Sequence, residues 1–269
     1  MRCELHCHST ASDGTRAPDD VVALAAARGV TVFALSDHDA CTRVDAPAGM
    51  RVIRAVEMSC DHAGRTIHVL AYDRGSAPNA WTALEHELVA TREARRNRLR
   101  VMAARLAQRG VRVDVEPLIA AAHERSVGRP DLARAMVAQG AASSLKDAFA
   151  RHLYDGGPVD VPCKSLSLEA ALALGRAANA AMSLAHPHLY DHVGEAMLRR
   201  YRGDGLAGVE AFYGAYDARE RARWIELAGA LDLVCTGGSD WHGPESATQL
   251  GVDLPDARAD ALLAWLTSS

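Results

Sequence analysis

Residues 3–13 read CELHCHSTASD, and residues 231–243 read LDLVCTGGSDWHG. Each is a short apolar run that ends on acidic and imidazole side chains. In the first, His6 and His8 are two apart, so on a strand they share one face while Cys7 points to the other. Asp13 follows in a tight SDG turn. In the second, Asp240 and His242 come just after a glycine turn. Strands that deliver polar side chains at their ends suit a parallel α/β sheet or barrel, whose C-terminal strand ends converge on one rim.

The flanking sequence supports that reading. Pro18 to Arg28 (PDDVVALAAAR) predicts a helix, with proline in its first turn and Gly29 at its end. VTVFALSD (30–37), MRVIRAVEMS (50–59) and RTIHVLAY (65–72) read as successive strands. The rhythm implies βα units and a largely parallel sheet or barrel. It breaks after about Arg74. From Asn79 to Leu153 the pattern is helical: Leu84, Leu88, Leu99, Met102 and Leu106 fall near helical spacing, and Gly110 closes that stretch. Arg129 to Gln139 starts another helix and Leu145 to Leu153 a third, with Gly156 to Pro158 as the exit. Residues 77–160 therefore read as a helical insertion, a cap between two barrel parts at 1–76 and 161–269. Alternation resumes with a helix at Leu168–Asn179, strands AMSLAHP (181–187) and GLAGVEAFY (205–213), a helix at Asp217–Ala230, the LDLVCTGGSD strand and a final helix at Ala257–Leu266.

Composition narrows the function. Apolar residues are 49% of 269, enough for a sizeable core, and the formal charge is -4. No basic block is large enough to argue for a stable nucleic-acid complex. The nearest is TREARRNRLR at 91–100, which reads as the solvated face of a helix; the other reading is a local phosphate-attracting rim. No apolar run is long enough for a membrane span, and MRCELHCHST has no apolar signal region. The six cysteines contain no C-x-x-C pair. They read as reduced thiols in a cytoplasmic protein.

The acidic and imidazole groups are the strongest signal. His6, His8, Asp13, Asp37, His38, Asp39, Glu57, His68, His186, Asp240 and His242 fall on or beside strands remote in sequence. Any one alone reads as a satisfied core residue. Gathered on one rim, they would cost too much desolvation unless paired or bound to metal. Imidazole mixed with carboxylate suits manganese, zinc or iron and argues against a thiolate site. The number of groups exceeds what one catalytic zinc needs.

In order along the chain, LHCHS, SDGT, SDHD, AVEMS, HVLAY, AHP and GGSDWHG resemble the motif series of the PHP (polymerase and histidinol phosphatase) superfamily. Within it the chain is similar to the small stand-alone metal-dependent phosphoesterases, the nucleoside 3',5'-bisphosphate phosphatase and RNase AM group. The resemblance implies a distorted (β/α)7 barrel with a helical insertion, and two or three divalent metals, manganese first, with zinc or iron as the other options. His6, His8, Glu57 and Asp240 would hold one metal. Glu57 would bridge to a second, held also by His68 and His186, and Asp13, His38 and His242 would hold a third. Asp37 and Asp39 would orient imidazoles. Asp13, His38, Glu57, His186 and Asp240 would carry the catalysis, with a metal-bridging hydroxide attacking a phosphate ester of a small molecule or nucleotide.

The substrate positions are Arg129, Asp131, His188 and Tyr216. A guanidinium fork at Arg129 suits phosphate oxygens. Here the chain departs from the family pattern. Relatives commonly carry His where Asp131 stands and read AHPGR where this chain reads AHPHL, with His188 and Leu189. A lysine near the insert's exit is missing from DGGPVD, and Tyr216 stands where His is frequent. These changes touch the substrate side, so the expectation is an active hydrolase with shifted specificity. Two other readings stay open: a C–N hydrolase using the same metal logic, which a cluster of phosphate-binding arginines would argue against, and a non-catalytic metal-binding module.

Overall fold

The structure is a computed structural model that describes residues 1–77, 79–154, 156–163 and 165–268. Asp155, which opens the DGGPVD stretch near the exit of the expected cap, lies outside the described residues. In chain order come β1 (Arg2–Glu4), α1 (Pro18–Ala27), β2 (Val32–Phe33), β3 (Arg51–Val52), β4 (Ala55–His62) and β5 (Arg65–Asp73). Then follow α2 (Thr82–Gln108), α3 (Glu116–Ala121), α4 (Arg129–Ala138) and α5 (Leu145–Ala148), which runs on as a π-helical turn over Phe149–Leu153. The last part holds β6 (Leu166–Ser167), α6 (Leu168–Ala177), β7 (Ala180–Leu184), α7 (Asp191–Tyr201), β8 (Leu206–Tyr213), α8 (Ala218–Leu231), β9 (Val234–Gly238), β10 (Val252–Asp253) and α9 (Asp256–Trp265).

Local signals set many of these boundaries. Pro18 opens α1, Asp19 and Asp20 lie in its first turn, and Gly29 behind it takes φ +75°. Ser167 caps α6 by accepting from the Ala170 N–H, and Asp217 caps α8 by accepting from the Glu220 N–H. Helix α7 is absent from the sequence reading. Its stretch, DHVGEAMLRRY, buries only Gly194, Met197, Leu198 and Tyr201 among polar neighbours, too sparse a stripe to stand out.

The strands form two sheets, β10-β1-β2-β3 and β6-β4-β5-β7-β8-β9. The βα units β1-β2, β7-β8 and β8-β9 pair in parallel, as expected. Strand β5 does not: it runs antiparallel to both β4 and β7. The two-residue link between β4 and β5 allows only a hairpin, because a parallel return needs a long crossover. Two isolated bridges link the sheets beyond β1 and β2. A parallel bridge pairs His38 with Glu57, and another pairs Cys7 with Trp241. Backbone bonds reinforce the second junction: Asp240 N–H donates to the His6 carbonyl at 2.7 Å and His8 N–H to the Trp241 carbonyl at 2.9 Å.

The main hydrophobic cluster joins both sheets to α6–α9 and the start of α2, with Trp81, Trp224, Tyr72 and Leu70 fully buried. A second cluster lies within α2–α5 and their loops, from Leu99 to Val159. A third packs α1 against β2 and includes Cys7. Among the described residues no helix is long and apolar enough to cross a membrane.

Candidate metal centre

Beyond β1 the chain stays extended, so His6 and His8 turn to one side and Cys7 to the other. Cys7 is buried beside Val21 and Phe33, its thiol facing the Ala34 carbonyl, as a packing residue would be. Asp13 is placed by the turn that starts at Ser9, whose carbonyl accepts from the N–H groups of Ser12 and Gly14. A side chain at Gly14 would collide with the His8 carbonyl at 2.6 Å, and one at Gly238 with His6 at 2.4 Å. Those glycines let the ligand-bearing segments touch. Glu57 lies early in β4, not at its end, because that strand continues to His62. The reversal of β5 brings its first half to the same rim, which places His68 opposite Ser59. His186 and Asp240 each follow a strand in left-handed backbone, at φ +29° and +52°. Such strain in non-glycine residues is held where the surroundings over-determine it.

Glu57 is the hub. Its Oε2 lies 2.9 Å from His38 Nδ1, 3.2 Å from His8 Nε2 and 3.3 Å from His6 Nε2. Its Oε1 lies 3.0 Å from both His68 Nδ1 and His186 Nε2. Asp240 Oδ1 faces His8 at 3.2 Å and His6 at 3.4 Å, and Asp13 Oδ1 faces His242 at 3.3 Å. All nine positions expected as ligands converge here. They gather as His6–His8–Glu57, His6–His186–Asp240, His38–Glu57–His68 and His8–Asp13–His38–His242, each with donor atoms within 4.8 Å of one another. These overlapping groups differ from the expected three sets: Asp240 groups with His186, and His38 reaches Glu57 and His68 as well as Asp13. Glu57 Oε2, His6 Nε2, His8 Nε2 and His38 Nδ1 are buried and make no well-directed hydrogen bond. Four lone-pair atoms facing one another in this way fit a shared cation, since orphaned buried polar groups are otherwise costly.

Charge balance in the metal-free protein points the same way. Burial alone would raise the carboxyls of Glu57, Asp13 and Asp240, but the imidazoles around them outweigh it and hold all three well below the usual range. Burial likewise opposes charge on His6 and His8. The facing carboxylates overcome it, raising His6 well above its usual value and His8 to about 10. His68 goes the other way, to about 4, through burial and the nearby imidazoles. At His6 and His8 a metal would therefore compete with protons for the same nitrogens.

The groups that orient these imidazoles are not the expected ones. Asp37 accepts from the Ser9 N–H at 2.8 Å, the Ser12 hydroxyl at 2.6 Å and the Thr42 hydroxyl at 2.8 Å. Asp39 accepts from Arg95 at 2.6 Å and from the Ser59 N–H at 2.8 Å. Neither bonds a histidine directly: Asp39 braces its loop, and Asp37 reaches His8 only through the Ser12 hydroxyl, 3.4 Å from His8 Nδ1. Glu210 does what was expected of them. Fully buried on β8, it lies 2.9 Å from His6 Nδ1 and accepts from the His186 N–H at 2.7 Å. The Tyr190 hydroxyl meets His186 Nδ1 at 3.3 Å, and the Tyr213 hydroxyl donates to Asp240 Oδ2 at 3.0 Å. Beneath them Glu4 accepts from the N–H groups of His6, Ser239 and Gly251 and from the Ser239 hydroxyl, tying β1 to the β9 loop. Glu210 and Glu4 sat inside apolar strand runs, where a buried acid was the available signal.

A cavity of about 630 Å³ opens on the cluster, lined by Asp13, His38, His68 and His186 and by four arginines: Arg65, Arg95, Arg98 and Arg129. Arg129 was expected as a phosphate contact, and Arg95 and Arg98 belong to the block whose second reading was a phosphate-attracting rim. The basic block at 91–100 is a partly buried wall and not simply a solvated face: Arg95 bonds Asp39 and the Ser59 hydroxyl, and Arg98 lies 3.0 Å from Asp160. The other expected substrate positions are elsewhere. Asp131 is 4% exposed and committed to Arg125, Arg134 and the Gly128 N–H, so it offers nothing to a ligand in this cavity. His188 and Tyr216 bond each other at 3.0 Å beside His186, and neither lines the cavity. Leu189, 53% exposed, does line it.

The chain is similar to several known proteins. The chain is 31% identical over 263 residues to a 5'-3' exoribonuclease of Haemophilus influenzae, covering 93% of each. It is also 31% identical to the 3',5'-nucleoside bisphosphate phosphatase of Chromobacterium violaceum, covering 94% of this chain and 92% of the relative. The chain belongs to the PHP family of metal-dependent phosphoesterases. The phosphoribosyl 1,2-cyclic phosphate 1,2-diphosphodiesterase of Eggerthella lenta is 30% identical, covering 89% of this chain and 94% of the relative. A solved structure from Bifidobacterium adolescentis, assigned as a metal-dependent phosphoesterase, superposes with a TM-score of 0.80 at 27% identity, covering 97% and 95% of the two chains. A second, an amidohydrolase from Chromobacterium violaceum with bound sulfate, gives 0.81 at 28% identity, covering 95% and 96%. No family model matches the chain. As a PHP protein it is a hydrolase acting on phosphoester bonds, with His, Asp and Glu clusters suited to divalent metals.

Proposed function

We propose that the rim holds two or three divalent ions, manganese first and zinc or iron next, shared through Glu57. The substrate is a phosphate ester of a small molecule or nucleotide, seated between those ions and the arginines. The observation that carries this reading is the shared cavity: Asp13, His38, His68 and His186 open onto the same space as Arg65, Arg95, Arg98 and Arg129. Bound divalent ions would lower the pKa of coordinated water and draw charge from phosphate oxygens. His6, His8, Asp13, His38, Glu57, His68, His186, Asp240 and His242 would hold them. Glu210 would keep the metal-facing lone pair of His6 directed inward. The arginines would orient a phosphate by forked hydrogen bonds and offset its charge.

The two bridges that link the sheets are in keeping with a distorted (β/α)7 barrel, and residues 77–160 would form the cap on it. The relatives' names divide between small bisphosphates, a cyclic phosphate and RNA, so chain-end release from short RNA belongs among the candidates. A phosphate-release screen of the manganese-loaded protein tests the reading. Its panel is nucleotides, nucleoside bisphosphates, sugar phosphates, cyclic phosphates and short 5'-phosphorylated RNA. Metal-dependent hydrolysis of at least one phosphate ester is expected. Hydrolysis of amides alone would favour the amidohydrolase reading, which the name of one solved neighbour supports.

A further inference from the structure

The turn bearing Asp13 is held from outside the strands. Three consecutive carbonyls, those of Ala11, Ser12 and Asp13, accept from the Ser126 N–H, Arg125 and Arg134 respectively. Both arginines also donate to one atom, Asp131 Oδ1, at 2.8 Å from Arg125 and 3.3 Å from Arg134. The other carboxylate oxygen accepts the Gly128 N–H at 2.8 Å, at the start of α4. Asp131 is thus fully committed, and each arginine it holds reaches the backbone of the Asp13 turn. A buried carboxylate with two charge-assisted partners gives the guanidiniums one geometry instead of many.

We propose that Asp131 is a positioning residue: through Arg125 and Arg134 it latches α4 to the Ala11–Asp13 turn and so sets where the Asp13 carboxylate stands among His8, His38 and His242. The inference rests on the metal reading only for its second consequence. Its first is mechanical: α4 and the 9–14 turn open together. Its second is that divalent ion bound by the Asp13 group stiffens α4, and that loosening α4 weakens that ion, because coupling between two sites is reciprocal.

Asp131→Asn keeps the volume and an acceptor for Gly128 but removes the charge. Arg134→Ala, at a side chain more than one-third exposed, removes one arm without opening the core. Hydrogen exchange on the metal-free proteins decides the latch. Both variants should speed exchange in residues 9–14 as well as 125–135; faster exchange confined to 125–135 overturns it, whatever the metal content. Manganese titration of the same proteins reads the coupling. The site that Asp13→Asn removes should lose about tenfold in affinity in both variants, the scale typical of groups that position metal ligands, with the other sites unchanged. Unchanged affinities at all sites in both variants overturn the coupling. If the wild type takes up no manganese, the metal reading fails and the exchange result still judges the latch.

Discussion

The site has two walls of opposite chemistry. One, at the strand ends, is carboxylate and imidazole held by backbone: His6 and His8 by strand alternation, His186 and Asp240 by left-handed turns, Glu57 by β4. The other is largely guanidinium carried on α2 and α4, where Arg95, Arg98 and Arg129 sit. The strand wall has almost no freedom, since glycines at 14 and 238 already bring its segments into contact. The helical wall is built of long side chains that borrow their rigidity from partners such as Asp39 and Asp160. The contrast says that one wall fixes the chemistry and the other decides what reaches it.

If that division is right, substitutions on the two walls should fail differently. The largest effect belongs to Glu57→Ala, which removes the hub facing five imidazoles. Phosphate release should fall by at least about 10³-fold on every substrate, roughly 4 kcal/mol of transition-state stabilisation, and metal content should fall with it. Retained turnover would break the comparison at its stronger side. On the helical wall, Arg98→Ala and Arg129→Ala should each cost about 10- to 100-fold in kcat/KM, the range of one charged hydrogen bond, with metal content intact. Loss of metal in either variant would mean the walls are not separable.

Glu210→Gln should lower manganese affinity about tenfold, as expected for loss of a group that orients a liganding imidazole. Titration calorimetry would show whether the tightest site is the one affected. Proton release sharpens the picture further. His6 and His8 carry raised pKa values, so at neutral pH they are protonated in the metal-free protein; His68, at about 4, is not. Metal binding should therefore expel protons from His6 and His8, and affinity should strengthen as pH rises. Calorimetry in buffers of different ionisation enthalpy measures this, and an affinity that weakens with rising pH would contradict it. The smallest effect, within about threefold, a change of under 1 kcal/mol, is expected for Tyr216→Phe, because that hydroxyl meets His188 outside the cavity.

The strand wall was legible in sequence because its residue types are rare at strand ends and recur in one order. Asp240 and Glu57 were named without knowing that β5 runs backwards. His68 was placed correctly for an incomplete reason, since the hairpin and not a strand end puts it on the rim. The helical wall was mostly illegible. Arginine on a helix looks the same whether it faces water or a cavity, so Arg95 and Arg98 were read as a surface, and Arg65 sits on a hairpin tip with no motif around it. Asp131 was read as a substrate position from the family pattern, which carries His there, and a motif position does not give a side chain's direction. Two residues along α4 point to different faces, and Asp131 turns inward to Arg125 and Arg134. Asp37 and Asp39 misled similarly: neighbours of His38 in sequence, they spend their oxygens on Ser9, Ser12, Ser59, Thr42 and Arg95.

The most direct test of the account is metal content. Protein purified without chelator should carry two or three divalent ions per chain by elemental analysis, and stripping them should abolish phosphate release until manganese is restored. Fewer than one ion per chain, with phosphate release indifferent to added manganese, would contradict the central claim that the strand wall is a metal centre.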